Sequence, residues 1–362
     1  MLSRCYHLFA NKHLTHLAAK NKDHPLVVMM MNHRVELMRL DLSNEDKVVV
    51  VNPEAKLIGL DQIDVREIFH CDGLLLCIPE EDHYRLLVWN PYWGRGQPRW
   101  IEHTHNHDLL DTHLSGRLDR YTYGLGYNNC SSQYKILRFI DYPPNFVEFK
   151  IYDFNSDSWR ILDLPPRPDN WNIKLDERGL SLKGNTYWFA SEALNFDAIC
   201  FLVCFDFTTE TFSLPLPLPF EAFPDDTLSL SSSSSSSSSS PQQLVVLFQS
   251  GDTLEMEIWI SNTIEKPNAL SWNIKVFLSA NIPEWFFRKS VSFFIDQEKK
   301  VAVVFDKNAH NGTSIREIAY IFFGGGVDDD GSSLKQQVVK ESKYPFCYSH
   351  VCYYVPSLVQ LN

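Results

Sequence analysis

The sequence is short of the features that mark membrane, secreted or zinc-bound proteins. No apolar run approaches the roughly eighteen residues that cross a bilayer. The first such run, Pro25 to Met31, is short and has no small-residue cleavage site after it, so no signal peptide is expected. Eight cysteines are present, but no CxxC pair occurs and zinc-ribbon spacing is missing. Cys200 and Cys204 sit in the apolar run ICFLVCF. Four residues of strand span roughly 13 Å, too far for one zinc ion, so buried reduced thiols and a cytoplasmic or nuclear location are expected. Positive charge is scarce: 33 Lys and Arg against 45 Asp and Glu give a formal charge of −12. That balance repels phosphate backbones and anionic lipid, so neither nucleic acid nor membrane is expected as a partner.

Catalytic signatures are missing as well. HExxH, GxSxG and GxxxxGK[ST] do not occur. GLGYN (124–128) has two glycines but leads into a strand-like stretch, whereas a phosphate cradle needs a helix N-terminus. The CDG of 71–73 reads as a turn dipeptide. HTHNHD, with His103, His105 and His107 and with His113 further on, is the best metal candidate. On a strand its outer pair is too far apart for one ion, and the segment reads as a solvated loop. The chain is expected not to be an enzyme: no catalytic residue, cofactor, cofactor-binding residue or metal ligand is assigned.

What is present is strand after strand. Aromatics make up 13% of the chain, which suits pleated surfaces. Hydrophobic residues at 44% and charged residues at 22% are ordinary globular values that allow a sizeable core. Residues 1–24, with RCYHLFANKHLTHLAAK, have helix-like spacing. From Pro25 onward LVVMMM, VELMRL, GLLLCI, YRLLVW, FKIY, ICFLVCF, LVVLF, LEMEIWI and VAVVF follow one another between turn residues.

One module recurs: an apolar strand closed by Asp or Asn, a polar turn, then an aromatic residue opening a second strand. Asp41, Asn90, Asp153, Asp206, Asn262 and Asp306 mark it, at intervals of 49, 63, 53, 56 and 44 residues. Those intervals approach the period of about 50 for kelch-type blades. The Asp or Asn suits the turn because its side chain bonds the backbone just beyond. Further hairpins precede several modules. An all-β fold follows: a β-propeller of about six four-stranded blades over 25–362, preceded by a short helical segment. The tail CYYVPSLV is expected to pair with the first strands and close the ring, since an open ring leaves an exposed edge. Trp89, Tyr152, Trp159, Phe205, Trp259 and Trp272 are expected between blades. The serine run 231–240 is expected to lie in a disordered, dispensable loop over about 224–243.

Across Leu26 to Leu361 these segments occur in the order of a known family. HCDGLLLC (70–77), VWNPYWGRGQPRWIE (88–102), YGLGYN (123–128), FKIYDFNSDSWR (149–160), RGLSLKGNTYWFA (178–190), FDFTTETF (205–212) and MEIWISNTIEKPNALSW (256–272) carry the resemblance. The chain resembles plant F-box proteins with a type 1 F-box-associated interaction domain. The resemblance implies a kelch-like propeller that holds a target protein for ubiquitination, while an N-terminal F-box binds the Skp-type adaptor of a cullin ligase. Residues 1–24 resemble only the last part of an F-box and its linker, and are expected not to bind that adaptor. The alternatives are a free binding propeller without a ligase role and a propeller enzyme. The target is not named by the sequence. The aromatic-plus-arginine run Trp285, Phe286, Phe287 and Arg288 is the candidate partner contact, because such residues make interface hot spots.

Overall fold

A computed structural model describes residues 25–41, 49–55, 63–91, 98–103, 121–142, 146–164, 171–173, 178–192, 198–233, 242–282, 287, 291–310, 314–324, 334–342, 344, 347 and 349–359. The alternating and continuous apolar runs form six antiparallel sheets. Blade 1 holds β1 (Leu26–Met31), β2 (Arg34–Asp41) and β3 (Val49–Ala55), and blade 2 holds β4 (Val65–Cys71), β5 (Leu74–Pro79), β6 (Arg85–Trp89) and β7 (Arg99–Glu102). Blade 3 is β8 (Thr122–Asn128), β9 (Gln133–Tyr142), β10 (Phe146–Asp153) and β11 (Ser158–Ile161). Blade 4 has β12 (Trp171–Ile173), β13 (Leu180–Leu182), β14 (Asn185–Glu192), β15 (Phe201–Asp206) and β16 (Thr211–Phe212). Blade 5 is β17 (Thr227–Ser232), β18 (Leu244–Gln249), β19 (Glu255–Ile260) and β20 (Leu278–Asn281). Blade 6 is β21 (Ser292–Asp296), β22 (Val301–His310), β23 (Ser314–Phe323) and β24 (Leu334–Ser342). Last comes β25 (His350–Tyr353), which joins blade 1 beside β1.

The expected closure is therefore present, with Val28 opposite Cys352 and Val27 opposite Tyr353. The strands that approach one another between sheets are β4, β8, β13, β17, β21 and β25, so the first strand of each blade faces the ring centre. In blade 4 that first position is split: β12 and β13 pair with successive stretches of β14. No α-helix occurs among the described residues, and the helical segment expected over 1–24 lies outside them.

The core is six apolar clusters, each shared by two neighbouring blades. Along β15, Leu202 and Cys204 enter the cluster with blade 5 while Val203 and Phe205 enter the one with blade 3. The two-residue period of a strand thus feeds two interfaces, which is why ICFLVCF is apolar throughout. Of the six module aromatics, Trp89, Tyr152 and Phe205 are buried, and Trp159, Trp259 and Trp272 are half-buried. The turns behave as the composition implies. Asp153 and Asp206 accept hydrogen bonds from the Asn155 and Thr208 amides, each at 2.8 Å. Asp72–Gly73 forms a two-residue hairpin turn with φ of 44° and 84°. A Cβ on Gly73 would come within 2.3 Å of the Ser357 hydroxyl, so the tail packs directly on that turn.

Two expectations are corrected. Asp306 does not end a strand: β22 continues to His310, with Asp306 opposite Ile318. In blade 6 the Asp-initiated turn lies one strand earlier, where Asp296 accepts from the Lys299 amide at 2.9 Å. The expected loop over 224–243 is also partly strand. Thr227–Ser232 is β17, with Ser231 opposite Val245 and Ser232 opposite Leu244. Small hydroxyl side chains fit there because they satisfy the next blade's backbone. Thr227 and Ser229 donate to the carbonyls of Phe287 and Val291, each at 2.7 Å.

The junction of blades 6 and 1 contains a buried ion pair. Lys307 and Glu317 face each other across β22 and β23 at 3.1 Å, with side chains 1% and 3% exposed. Ser349, just before β25, donates to Glu317, and the Lys307 ammonium also donates to the Tyr344 carbonyl at 2.8 Å. Burial raises the Glu317 pKa against the opposing pull of Ser349 and Lys307.

Two outcomes follow. Deleting 224–243 should remove the inner strand of blade 5 and unfold the domain. Replacing only 234–241 with a short turn should leave the melting temperature nearly unchanged, since the Ser233 amide already donates to the Gln243 carbonyl at 2.9 Å and closure entropy grows slowly with loop length. Lys307→Met should cost about 3–5 kcal/mol by chemical unfolding, and adding Glu317→Leu should recover most of it, because a lone buried charge costs more than none.

Candidate protein-interaction surface

Antiparallel order sorts the connections to two ends of the ring. Turns between first and second strands, and between third and fourth, emerge at one end, the hairpin face. Turns between second and third strands, and links to the next blade, emerge at the other, the crossover face.

Side chains on the hairpin face are engaged in joining blades. Asp157 and Glu210 occupy the left-handed position of equivalent turns, at φ of 52° and 58°. Each carboxylate reaches back to the preceding blade. Arg99 of blade 2 meets Asp157 at 2.8 Å, and Lys135 of blade 3 meets Glu210 at 2.7 Å with Arg160 beside it. The first pair is largely solvated and contributes little. The second is the stronger, with Lys135 7% and Glu210 19% exposed. Burial works to raise the Glu210 pKa, but Arg160 and Lys135 outweigh it and hold the carboxyl below its ordinary value.

Lys183 donates to the Ile264 carbonyl at 2.8 Å and so links blade 4 to blade 5. A recess of about 550 Å³ lies there, lined by Lys183, Asn185, Tyr187, Asp206 and Lys266 among others. Its volume suits a small molecule, but its walls mix polar residues with Leu182, Ile264 and Pro267 and lack the predominantly apolar lining of such sites.

Blades 3 and 4 pack closely: a Cβ at Gly126 would meet the Phe207 ring at 2.3 Å, so the glycines of GLGYN serve close packing. Arg178, from blade 4, donates to the Ser349 carbonyl near β25 at 3.3 Å. His70 accepts from the Gly73 amide at 3.0 Å, and burial lowers its pKa to about 4. His350 is pushed well below its usual value by burial, then by Arg178 and His70. Both rings are neutral at ordinary pH.

The crossover face differs in charge. Among the described residues its connections hold acidic side chains and no Lys or Arg, whereas the hairpin-face connections mix Lys183, Lys266, Lys299 and Lys300 with their acids. Asp64 and Asp82 are paired with strand-end Arg34 and Arg85 at 2.9 and 2.6 Å. Glu81, Asp163, Glu221, Asp225 and Asp252 are exposed. Large apolar side chains stand out beside them: Tyr84, Ile199, Phe223 and Tyr344.

The candidate contact residues fall differently from expectation. Phe287 is buried in the cluster between blades 5 and 6, its ring 5.4 Å from Tyr320, and its amide donates to Gln249 at 2.8 Å. It is a packing residue, because three consecutive aromatics cannot all face solvent and this one fills the blade interface. Trp285, Phe286 and Arg288 lie outside the described residues. His103 contacts Arg138 at 2.7 Å, and His105, His107 and His113 lie outside the described residues. Among the described residues no three His, Cys, Asp or Glu side chains are grouped to hold a metal ion. The sequence reading missed the exposed PLPLPFEAFPDD segment (215–226), whose alternating prolines beside acids and aromatics were a usable signal.

A family model described as the F-box associated beta propeller domain matches residues 26–361. A putative F-box protein of Arabidopsis thaliana is 48% identical, with 97% of this chain and 88% of that protein covered. An F-box/kelch-repeat protein of the same plant is 42% identical, with 98% and 89% covered. A fungal lectin with a six-bladed β-propeller fold is similar at 12% identity and a TM-score of 0.37, covering 88% of this chain and 96% of that one.

Glu210→Gln should destabilise the folded chain by about 1–3 kcal/mol at pH 7, because it leaves the buried Lys135 ammonium without its charged partner. Since the folded pKa of Glu210 is depressed, its contribution is present above the unfolded value near 4.3 and is lost as pH falls through the folded value. The stability gap between parent and variant should therefore close in acid, as read from denaturant melts across pH.

Proposed function

The chain belongs to the F-box-associated β-propeller family, and from that premise we propose that it is the target-holding part of a Skp–cullin–F-box ubiquitin ligase. The observation that carries the reading is the division of labour between the two ends of the ring. The hairpin-face charges of blades 2 to 4 hold blades together, while over blades 4 and 5 the crossover face presents the exposed apolar residues Ile199 and Phe223 and the exposed acids Glu221, Asp225 and Asp252. A rigid scaffold with a free, chemically distinct end is what protein recognition requires.

The propeller acts by binding and has no catalytic role of its own. The polar groups on its inner strands, His70 and His350, are half-buried with pKa values lowered by desolvation, and Arg178 braces opposite blades. The seven described cysteines are free, which suits a reducing compartment such as cytosol or nucleus.

The test joins an adaptor-binding F-box segment to the N-terminus of the full chain and expresses it beside the unmodified chain. Both should capture the same target protein. The fusion, reconstituted with adaptor, cullin and ubiquitin-charging enzymes, should ubiquitinate that target. Capture without ubiquitination by the fusion would remove the ligase role; no shared captured target would remove the recognition role.

A further inference from the structure

We propose that the crossover face over blades 4 and 5 docks a short basic segment of a partner protein. An apolar residue of that segment seats on Ile199 and Phe223, and its Lys or Arg side chains meet Glu221, Asp225 and Asp252. This assignment rests on the reading that the propeller holds a protein target, and it names where and by what chemistry.

Three segments distant in sequence are fixed into one surface. The Cys200 amide donates to the Ala222 carbonyl at 2.7 Å, which sets Ile199 and Cys200, just before β15, beside the link into blade 5. Asp226 then accepts from the Phe223 amide at 2.7 Å and from the Gly251 amide at 2.8 Å, which ties that link to the turn between β18 and β19. Prolines at 215, 217, 219 and 224 restrict the link's backbone further. Phe220 is stacked on Phe248 at 4.4 Å and anchors it from below. On this stitched frame Ile199 stays 51% and Phe223 39% exposed. Large apolar side chains held in the open by a rigid backbone lose little entropy on binding.

The charges choose the partner. Glu221, Asp225 and Asp252 are exposed at the rim of the apolar pair. None of these three acids is paired with a described Lys or Arg, so a basic segment is drawn to this patch and an acidic one is repelled. The apolar pair supplies the part of the affinity that salt does not screen.

The probe is a fluorescent synthetic peptide of alternating Arg and Lys carrying one Leu and one Phe, against a counterpart with Glu at every basic position. Binding to the full chain is read by anisotropy at about 50 mM and about 300 mM salt. The basic peptide should bind at least about tenfold more tightly than the acidic one. Glu221→Lys with Asp225→Lys should weaken it about tenfold at low salt, as two reversed exposed pairs imply. Ile199→Ser with Phe223→Ser should weaken it by a similar factor at both salts. Glu265→Lys with Glu298→Lys, on the hairpin face, should change it by less than about twofold.

A photo-crosslinking version of the peptide, on the unaltered chain, should mark 198–200, 220–226 or 250–252. Equal weakening by the hairpin-face variant, equal binding of the acidic peptide, or crosslinks elsewhere would overturn the proposal. So would full ubiquitination of the target by an F-box fusion carrying the four patch substitutions, a result that leaves the ligase reading standing.

Discussion

The pairing of β25 with β1 is the interaction on which the rest of the structure depends. Each apolar cluster belongs to two blades, so no blade has a core of its own. If β25 left its place, blade 1 would lose its inner strand, and the clusters it shares with blades 6 and 2 would lose Val351, Tyr353 and Tyr354. Two unpaired sheet edges would then face solvent. The closure is reinforced at both ends of β25. Before it, Ser349 bonds the buried Glu317; after it, Tyr354 donates to the Asn90 side chain at 3.0 Å, which in turn donates to the Val359 carbonyl at 2.9 Å.

That constraint explains why the fold was legible in the sequence. A strand buried on both sides must be apolar throughout, and a blade must return through polar turns at a regular interval. ICFLVCF and the Asp153 and Asp206 modules carry both signals, and the closing tail follows from them by the argument against open edges. Where the reading failed, two arrangements shared one local pattern. VAVVFD ends, like FKIYD, in an aromatic residue and Asp after a strand-like run, yet the chain past Asp306 continues as strand because blade 6 placed its Asp-initiated turn before β22. The serines of β17 resemble loop composition, but a small hydroxyl side chain in an inner strand bonds the neighbouring blade's carbonyls, a fact that only the register reveals.

The candidate surface was less legible, for a physical reason. Strand periodicity reports which residues are buried, and says little about which turns share an end of the ring. Ile199, Phe223 and Asp252 are far apart in sequence and are brought together by backbone hydrogen bonds through Asp226 and Ala222. Trp285 to Arg288 looked like a contact run because aromatic and arginine side chains favour interfaces. Phe287 belongs to such an interface, but the one between blades 5 and 6.

The hairpin face and the crossover patch over blades 4 and 5 are therefore under different physical demands. At the hairpin face a carboxylate such as Glu210 has partners on another blade, so changing it alters stability first. At the crossover face Glu221 and Asp225 have no such partner, and Asp226 and the Cys200–Ala222 hydrogen bond hold the backbone that presents them. Substitution of the exposed acids leaves the blade interfaces intact, whereas substitution of Asp226 disturbs the frame itself. A propeller built this way can vary the exposed acids over blades 4 and 5 without touching the interactions that close the ring.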